Sequence, residues 1–144
     1  MNVLLDTNVL SERARPRPDP ALVRWIDELD EDRAFISVLS LAEIRRGIER
    51  LSAGNRRTHL AAWLDADLVP RFADRILTVD IPIADAWGML MADGDRNGRP
   101  VPVIDGFLAA TATAHDLALA TRNTRDFAHL GIPLINPWND DTTR

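Results

Sequence analysis

Val3-Leu4-Leu5-Asp6-Thr7-Asn8 is the stretch on which the fold turns. It is a short apolar run that ends in an acid and two small polar residues. A run this short, bounded by turn-type residues, reads as a buried strand. Asp6 then stands where the strand opens into a loop. In a parallel sheet flanked by helices, ligands bind outside the carboxyl ends of the strands. The rest of the sequence decides whether other acids are delivered to that edge.

Working outward, Val9–Arg13 continues as a short helical turn, and Arg15–Pro20, with three prolines, is a loop. Ala21–Leu29 is an amphipathic helix carrying Leu22, Trp25, Ile26 and Leu29 on one face. Ala34–Val38 is a second strand. Ser40 begins a helix with Leu41, Ile44, Ile48 and Leu51 on one side, and Gly54-Asn55 breaks it. Arg57–Leu68 is helical again, and Pro70 is expected to end it. Arg75–Val79 is a third strand, and Pro82 suits the first turn of the next helix, which runs through Ala84, Trp87 and Met91. After the loop Asn97–Pro100, Ile104 leads into Asp105 and an alanine-rich helix, Gly106–Asp116. Leu117–Thr121 and Pro133–Ile135 are the fourth and fifth strands, with a polar turn Asn123–Asp126 and a short helix between them. Strands alternating with helices imply βαβ units and a parallel sheet with right-handed crossovers. No repeat, linker or low-complexity tract is visible, so the expectation is one α/β domain over residues 1–144, with 139–144 a frayed tail.

At 144 residues the chain has the length for one well-filled core. No apolar run is long enough to cross a bilayer. The sequence begins directly with a strand, so no signal peptide is expected. Cysteine is absent, which excludes disulfides, thiolate zinc sites and a cysteine nucleophile and fits a reducing cytoplasm. The net charge of −5 runs against nucleic-acid binding, unless carboxylates are neutralised by a bound cation. All 17 basic residues are arginine, whose planar fork suits phosphate. Codon bias in a GC-rich genome is the plainer and preferred reading of that composition. The lack of lysine excludes mechanisms that need one, the phosphate-binding loop of nucleotide hydrolases among them.

Asp6, Glu43, Asp105 and Asp126 share a placement at a strand end or in the first turn of a helix. Each alone reads as a helix cap: Asp6 for Val9–Arg13, Glu43 closing a capping box with Ser40, Asp105 for the helix behind it, Asp126 for Phe127–Leu130. Glu43 lies between Leu41 and Ile44, near the boundary of the buried face. Together the four read differently. Neighbouring strands are about 4.8 Å apart, so acids at their ends land close together. Such carboxylates repel in a partly desolvated site and stay ionised only beside a cation. Oxygen ligands without cysteine or a nearby histidine select Mg²⁺, with Mn²⁺ as a substitute. Magnesium held this way keeps positions open for water and phosphate oxygens, the equipment for phosphodiester hydrolysis.

Leu5-Asp6-Thr7-Asn8, Ser40-Leu41-Ala42-Glu43-Ile44, Pro102-Val103-Ile104-Asp105 and Thr121-Arg122-Asn123-Thr124-Arg125-Asp126-Phe127 resemble the PIN-domain ribonucleases. Leu130-Gly131-Ile132-Pro133 and Asn136-Pro137-Trp138 resemble the VapC-type toxins of toxin–antitoxin pairs, in particular the FitB-like branch. The resemblance covers nearly the whole chain and keeps the motif order. It implies a three-layer fold with a five-stranded parallel sheet ordered 3-2-1-4-5 and acids gathered at its C-terminal edge. It implies that Asp6, Glu43 and Asp105 hold the metal. The family's fourth position falls either at Asn123, where many members carry Asp, or at Asp126, the acid before Phe127 on which members with Asn rely. It further implies an Mg²⁺-dependent endoribonuclease, a metal-activated water as nucleophile and products with 5′-phosphate and 3′-hydroxyl. The implied partners are RNA, a second copy of the chain and a VapB-like antitoxin through which operator DNA is met indirectly.

Other features have plainer readings. His59, His115 and His129 are scattered on predicted helices and suit surface or packing roles. Trp25, Trp63 and Trp87 fall on apolar stripes, which usually means core; a partner groove around Trp25, Leu29, Leu60, Trp63 and Leu64 is the alternative. Arg45, Arg46 and Arg50, like Arg122 and Arg125, either guide RNA phosphates or form a solvated face. Two other functions compete. A different Mg²⁺-dependent α/β phosphotransfer domain also places an Asp after the first strand, but relies on a lysine that this chain lacks. A PIN fold kept only as a non-catalytic binding module would not need the acids intact.

Overall fold

The structure, a computed structural model, describes residues 1–139. The expected frayed tail therefore lies, but for Asn139, outside the described residues. Five strands form one sheet: β1 (Val3–Leu5), β2 (Ala34–Ser37), β3 (Ile76–Leu77), β4 (Ala118–Ala120) and β5 (Leu134–Ile135). Their order is β3-β2-β1-β4-β5 and every pairing is parallel, as expected. In register, Val3 of β1 lies beside Ala34 of β2 and Ala118 of β4. The backbone ladder runs past the strand ends on one side, with Asp6 N–H donating to Ala120 O at 2.9 Å and Thr121 N–H to Ile135 O at 2.9 Å.

Alternation of side chains along the strands divides the core into two layers. Val3, Leu5, Ala34, Ile36 and Ala120 face one cluster, which receives Leu10 of α1 (Thr7–Arg13), Leu22 of α2 (Pro20–Glu28) and Ile44 and Ile48 of α3 (Val38–Glu49). Trp25, Leu29, Leu60 and Trp63 pack half-buried against the same cluster, so the core reading of this stripe holds. Leu4 and Leu119 face the other way, toward Leu108, Ala109 and Ala112.

Beyond α3 the chain forms α4 (Asn55–Trp63), a π-helical turn (Leu64–Leu68) and the short α5 (Val69–Arg71). This corrects the expectation that Pro70 ends the helix. Proline cannot donate a backbone hydrogen bond, and its ring crowds the carbonyl four residues earlier. Here Val69 N–H reaches back five residues to Leu64 O, and Pro70 sits in the first turn of α5, where no donor is needed. Helix α6 (Ile81–Arg96) starts with Pro82 in its first turn, as expected, and with Asp80 accepting from Ile83 N–H at 3.1 Å. Helix α7 (Val103–His115) covers the sheet beside it, and α8 (Thr124–Phe127) follows β4. Among the described residues, no helix is long and apolar enough to cross a membrane.

Two glycines set close approaches. A Cβ on Gly106 of α7 would lie 2.8 Å from Met91 Sδ and 3.0 Å from Trp87 Nε1, so its absence lets α6 lean on α7. Trp87 then stacks on Phe107 with ring centroids 4.7 Å apart. A Cβ on Gly94 would lie 2.6 Å from the carbonyl oxygen of Arg99, where the 97–100 loop folds back on α6. That contact is backbone and has little room to give. Gly47, in α3, has nothing within 4 Å of such a Cβ.

Gly94→Ala is therefore expected to destabilise the protein by about 1–2 kcal/mol, overpacking outweighing better helix propensity. Gly47→Ala, with propensity alone at stake, is expected to stabilise by up to about 1 kcal/mol. Thermal unfolding of the two variants checks the opposite signs.

Candidate functional site

Asp6 follows directly from β1 and caps α1, its Oδ1 accepting from Thr7 N–H at 2.7 Å. Its other oxygen accepts from the Thr121 hydroxyl at 2.8 Å. Thr121 lies just past β4, is fully buried, and accepts in turn from Asn8 Nδ2 at 3.2 Å and Asn123 N–H at 3.0 Å. One donor and two acceptors exhaust what a hydroxyl can offer, so Thr121 fixes the Asp6 carboxylate without spare capacity. Asn8 Oδ1 accepts from Arg122 N–H at 3.2 Å, closing a link between the loops after β1 and β4. The sequence reading gave Asn8 no role. Its place in Asp-Thr-Asn, between an acid and a helix, was the signal available.

Glu43 lies in α3, exposed on the helix surface, and its Oε1 accepts from the Thr7 hydroxyl at 2.6 Å. The capping box expected with Ser40 is not formed. α3 begins three residues earlier, capped by Ser37, whose Oγ accepts from Leu39 N–H at 3.0 Å. Ser40 is instead fully buried and its hydroxyl lacks a hydrogen-bond partner. Glu43 is thereby free of the α3 terminus and tied to the Asp6 loop. Asp105 sits in the first turn of α7, behind an N-cap of Pro102, with no side-chain cap bond. Asp126 likewise lies inside α8, and the cap position, Asn123, makes no side-chain cap bond. The cap readings of Asp105, Asp126 and Glu43 are therefore corrected; that of Asp6 stands, for a helix that starts at Thr7.

Asp105 and Asp6 both sense neighbouring acids. Burial pushes the Asp105 carboxyl up to about 6, and the charges of Asp6, Asp126 and Glu43 add to the rise. Burial raises Asp6 as well, against the Thr121 and Thr7 hydrogen bonds that hold it down, with Glu43 adding repulsion. Thus β1, α3, α7 and α8 deliver acids to one place at the sheet rim. Among the described residues, no three carboxylate or imidazole groups already close into a metal-sized shell. A hard cation does not require one: magnesium takes one or two carboxylates and fills its remaining positions with water and substrate oxygens. An oxygen-only donor set of mutually repelling acids fits such an ion.

Around this centre, Arg45 pairs with Asp65 at 2.5 Å and with Glu49 at 3.7 Å, while Arg46 and Arg50 are exposed. Arg122 leaves the rim with its guanidinium 5.3 Å from the centre of the Trp138 ring. The three histidines are exposed. His129 borders a cavity of about 610 Å³ with Met89, Asn97 and Arg99, and none of the four acids lines it. That cavity is separate from the acidic cluster.

Residues 3–133 match the family described as the PIN domain. The chain is 37% identical over 138 residues to toxin FitB of Neisseria gonorrhoeae, covering 96% of this chain and 99% of that one. It is 38% identical over 136 residues to VapC ribonuclease Y4jK of Sinorhizobium fredii, covering 94% and 97%. The crystal structure of FitAcB from Neisseria gonorrhoeae superposes with a TM-score of 0.89 at 36% identity, covering 95% of this chain and 99% of that one.

Two outcomes follow from the geometry. Thr121→Val strips Asp6, Asn8 and the Asn123 amide of a partner and is expected to cost about 1–3 kcal/mol, read by denaturant unfolding. In chelator, the raised Asp105 carboxyl binds its proton more tightly folded than unfolded. Its contribution is fully present below about pH 3.8 and is lost as pH rises through about 6. Discounted for the half-exposed setting, the loss is on the order of 1 kcal/mol. Asp105→Asn is expected to flatten that segment of the stability–pH curve relative to wild type, and parallel curves would contradict it.

Proposed function

The chain belongs to the PIN domain family and, within it, to the VapC- and FitB-type toxins of toxin–antitoxin pairs, and from that premise we propose that it is an Mg²⁺-dependent endoribonuclease. The observation that carries the reading is the convergence of Asp6, Glu43, Asp105 and Asp126, acids from four separate elements, whose charges are felt at Asp105. Asp6 and Asp105 would hold the ion directly, with Glu43 and Asp126 beside them. When bound, the ion supplies an acidified water and neutralises charge on the scissile phosphate.

The protein's own groups do the rest. The Thr7 amide and the Thr121 hydroxyl aim both oxygens of Asp6 and keep them from turning. The Thr7 hydroxyl holds Glu43 at the same edge, so one residue orients two carboxylates. Asp105, without a cap bond, is the acid with a carboxyl near 6 and the one most changed by a cation. In-line attack of water on phosphorus would leave a 5′-phosphate and a 3′-hydroxyl.

The solved FitAB bound to a DNA fragment, 35% identical to this chain, supports a second element of the proposal: an antitoxin protein grips this toxin, and operator DNA is met only through it. A homodimer is part of the same reading, with Ile81, Met89 and Val103 offering exposed apolar surface on α6 and α7. The toxin would act in the cytoplasm, where its RNA is found. The phosphotransfer alternative still lacks its lysine.

The test is antitoxin-free protein incubated with total RNA in Mg²⁺ or EDTA, with cut ends mapped. Cleavage is expected in Mg²⁺, with Mn²⁺ substituting, and none in EDTA. Asp105→Asn is expected to lower the rate on the order of 10²-fold or more while the protein stays folded, since no cap bond is lost. An Asn variant as fast as wild type would rule the mechanism out.

A further inference from the structure

Arg122 and Trp138 stand apart from the acids and are not used by the reading above. Arg122 directly follows Thr121, the residue that holds Asp6. Its own amide is pinned to Asn8 Oδ1 at 3.2 Å, so its backbone cannot drift from the rim. Trp138 arrives from the next strand. β5 pairs with β4, Thr121 N–H bonds to Ile135 O at 2.9 Å, and the chain reaches Trp138 three residues later. Pro137 is fully buried, and Trp138 N–H donates to Asn136 Oδ1 at 3.0 Å. Both members are thus fixed by backbone at the edge where the acids gather.

The guanidinium lies over the indole with 5.3 Å from Cζ to the ring centre. Arg122 forms no ion pair with any described residue, and it is exposed. An arginine beside an acidic cluster ordinarily spends its fork on a carboxylate. This one rests its guanidinium over an aromatic ring and stays exposed to solvent. Unpaired bases of single-stranded RNA stack on aromatic rings and on arginine planes, and a cation resting on a tryptophan face is held there without losing its charge.

We propose that Arg122 and Trp138 form a stacking subsite for one unpaired nucleobase of the RNA, next to the acidic cluster. The subsite rests on the RNA reading and deepens it. The base continues a Trp–Arg–base stack and so sets which phosphodiester is presented to the acids. Because every base has a flat face, the subsite favours an unpaired nucleotide over a paired one, with little preference among bases.

Direct binding tests this without cleavage. A labelled single-stranded oligoribonucleotide is titrated by fluorescence anisotropy with Ca²⁺ replacing Mg²⁺. A series of strands each carrying one abasic position is titrated alongside. Wild type is expected to lose on the order of 10-fold in affinity when the abasic position is the stacked one. Arg122→Lys keeps the charge and loses the plane, and it is expected to bind intact and abasic strands alike. Trp138→Ala is expected to do the same, and Trp138→Phe, which keeps a ring and guards against a folding defect, to retain part of the difference. A brace for the chain end alone would alter melting temperature and leave the abasic penalty in place. An unchanged penalty in Arg122→Lys and Trp138→Ala, or no penalty in wild type, overturns the subsite. Base-dependent binding in a protein that cleaves nothing in Mg²⁺ would sustain the subsite and sink the nuclease reading; cleavage without an abasic penalty would do the reverse.

Discussion

Like charges held together at a sheet edge are the constraint around which the chain is built. β1 has a parallel neighbour on each side, β2 and β4, so the loops after the three strands rise from one rim. That arrangement brings Asp6, Glu43 and Asp126 to the rim, and the first turn of α7, ahead of β4, adds Asp105. The free-energy cost is distributed unevenly. Asp6 is the most buried of them, but three neighbours hydrogen-bond to it or to its partner, and these offset part of the desolvation. Asp105 has no such support, and the displacement concentrates there. A site that is strained in this way when empty favours whatever positive charge enters it.

How far this was legible in the sequence depended on whether the deciding information was local. The short apolar run Val3-Leu4-Leu5 is local information, and the buried strand is where it was expected. The strand order and the grouping of the acids followed from the resemblance and from the rule that parallel strands share a rim. The start of α3 was misplaced for a definite reason. Ser37 and Ser40 are both good caps, three residues apart, and the Ser-x-x-Glu pattern is blind to which of them the helix uses. Burial chose Ser37. Pro70 was misread because the rule assumes α-helical bonding, and the π turn before it removes the conflict.

What sequence could not reveal lies in side-chain partnerships between distant segments. Arg122 finding Trp138, or Asn8 bridging to Thr121, leaves no periodicity or spacing behind. Such pairs depend on which loops the sheet order makes adjacent. The acids and the Thr7 and Thr121 hydroxyls that bond to them were therefore visible, while the contacts of Asn8 and Arg122 were not. Glu12 is a case in point: an unremarked acid, buried, that accepts from Asp19 N–H at 3.0 Å and ties down the proline-rich loop.

The hydrogen bond from Thr121 to Asp6 joins residues 115 positions apart. A chain leaves the ribosome N-terminus first. β1 and its acid thus emerge long before β4 exists to pair with it, and a contact of such sequence separation forms only once the intervening chain has been made. The acidic cluster accordingly cannot assemble on a nascent or prematurely terminated chain. The contact that fixes Asp6 therefore forms only after almost all of the polypeptide has been synthesised.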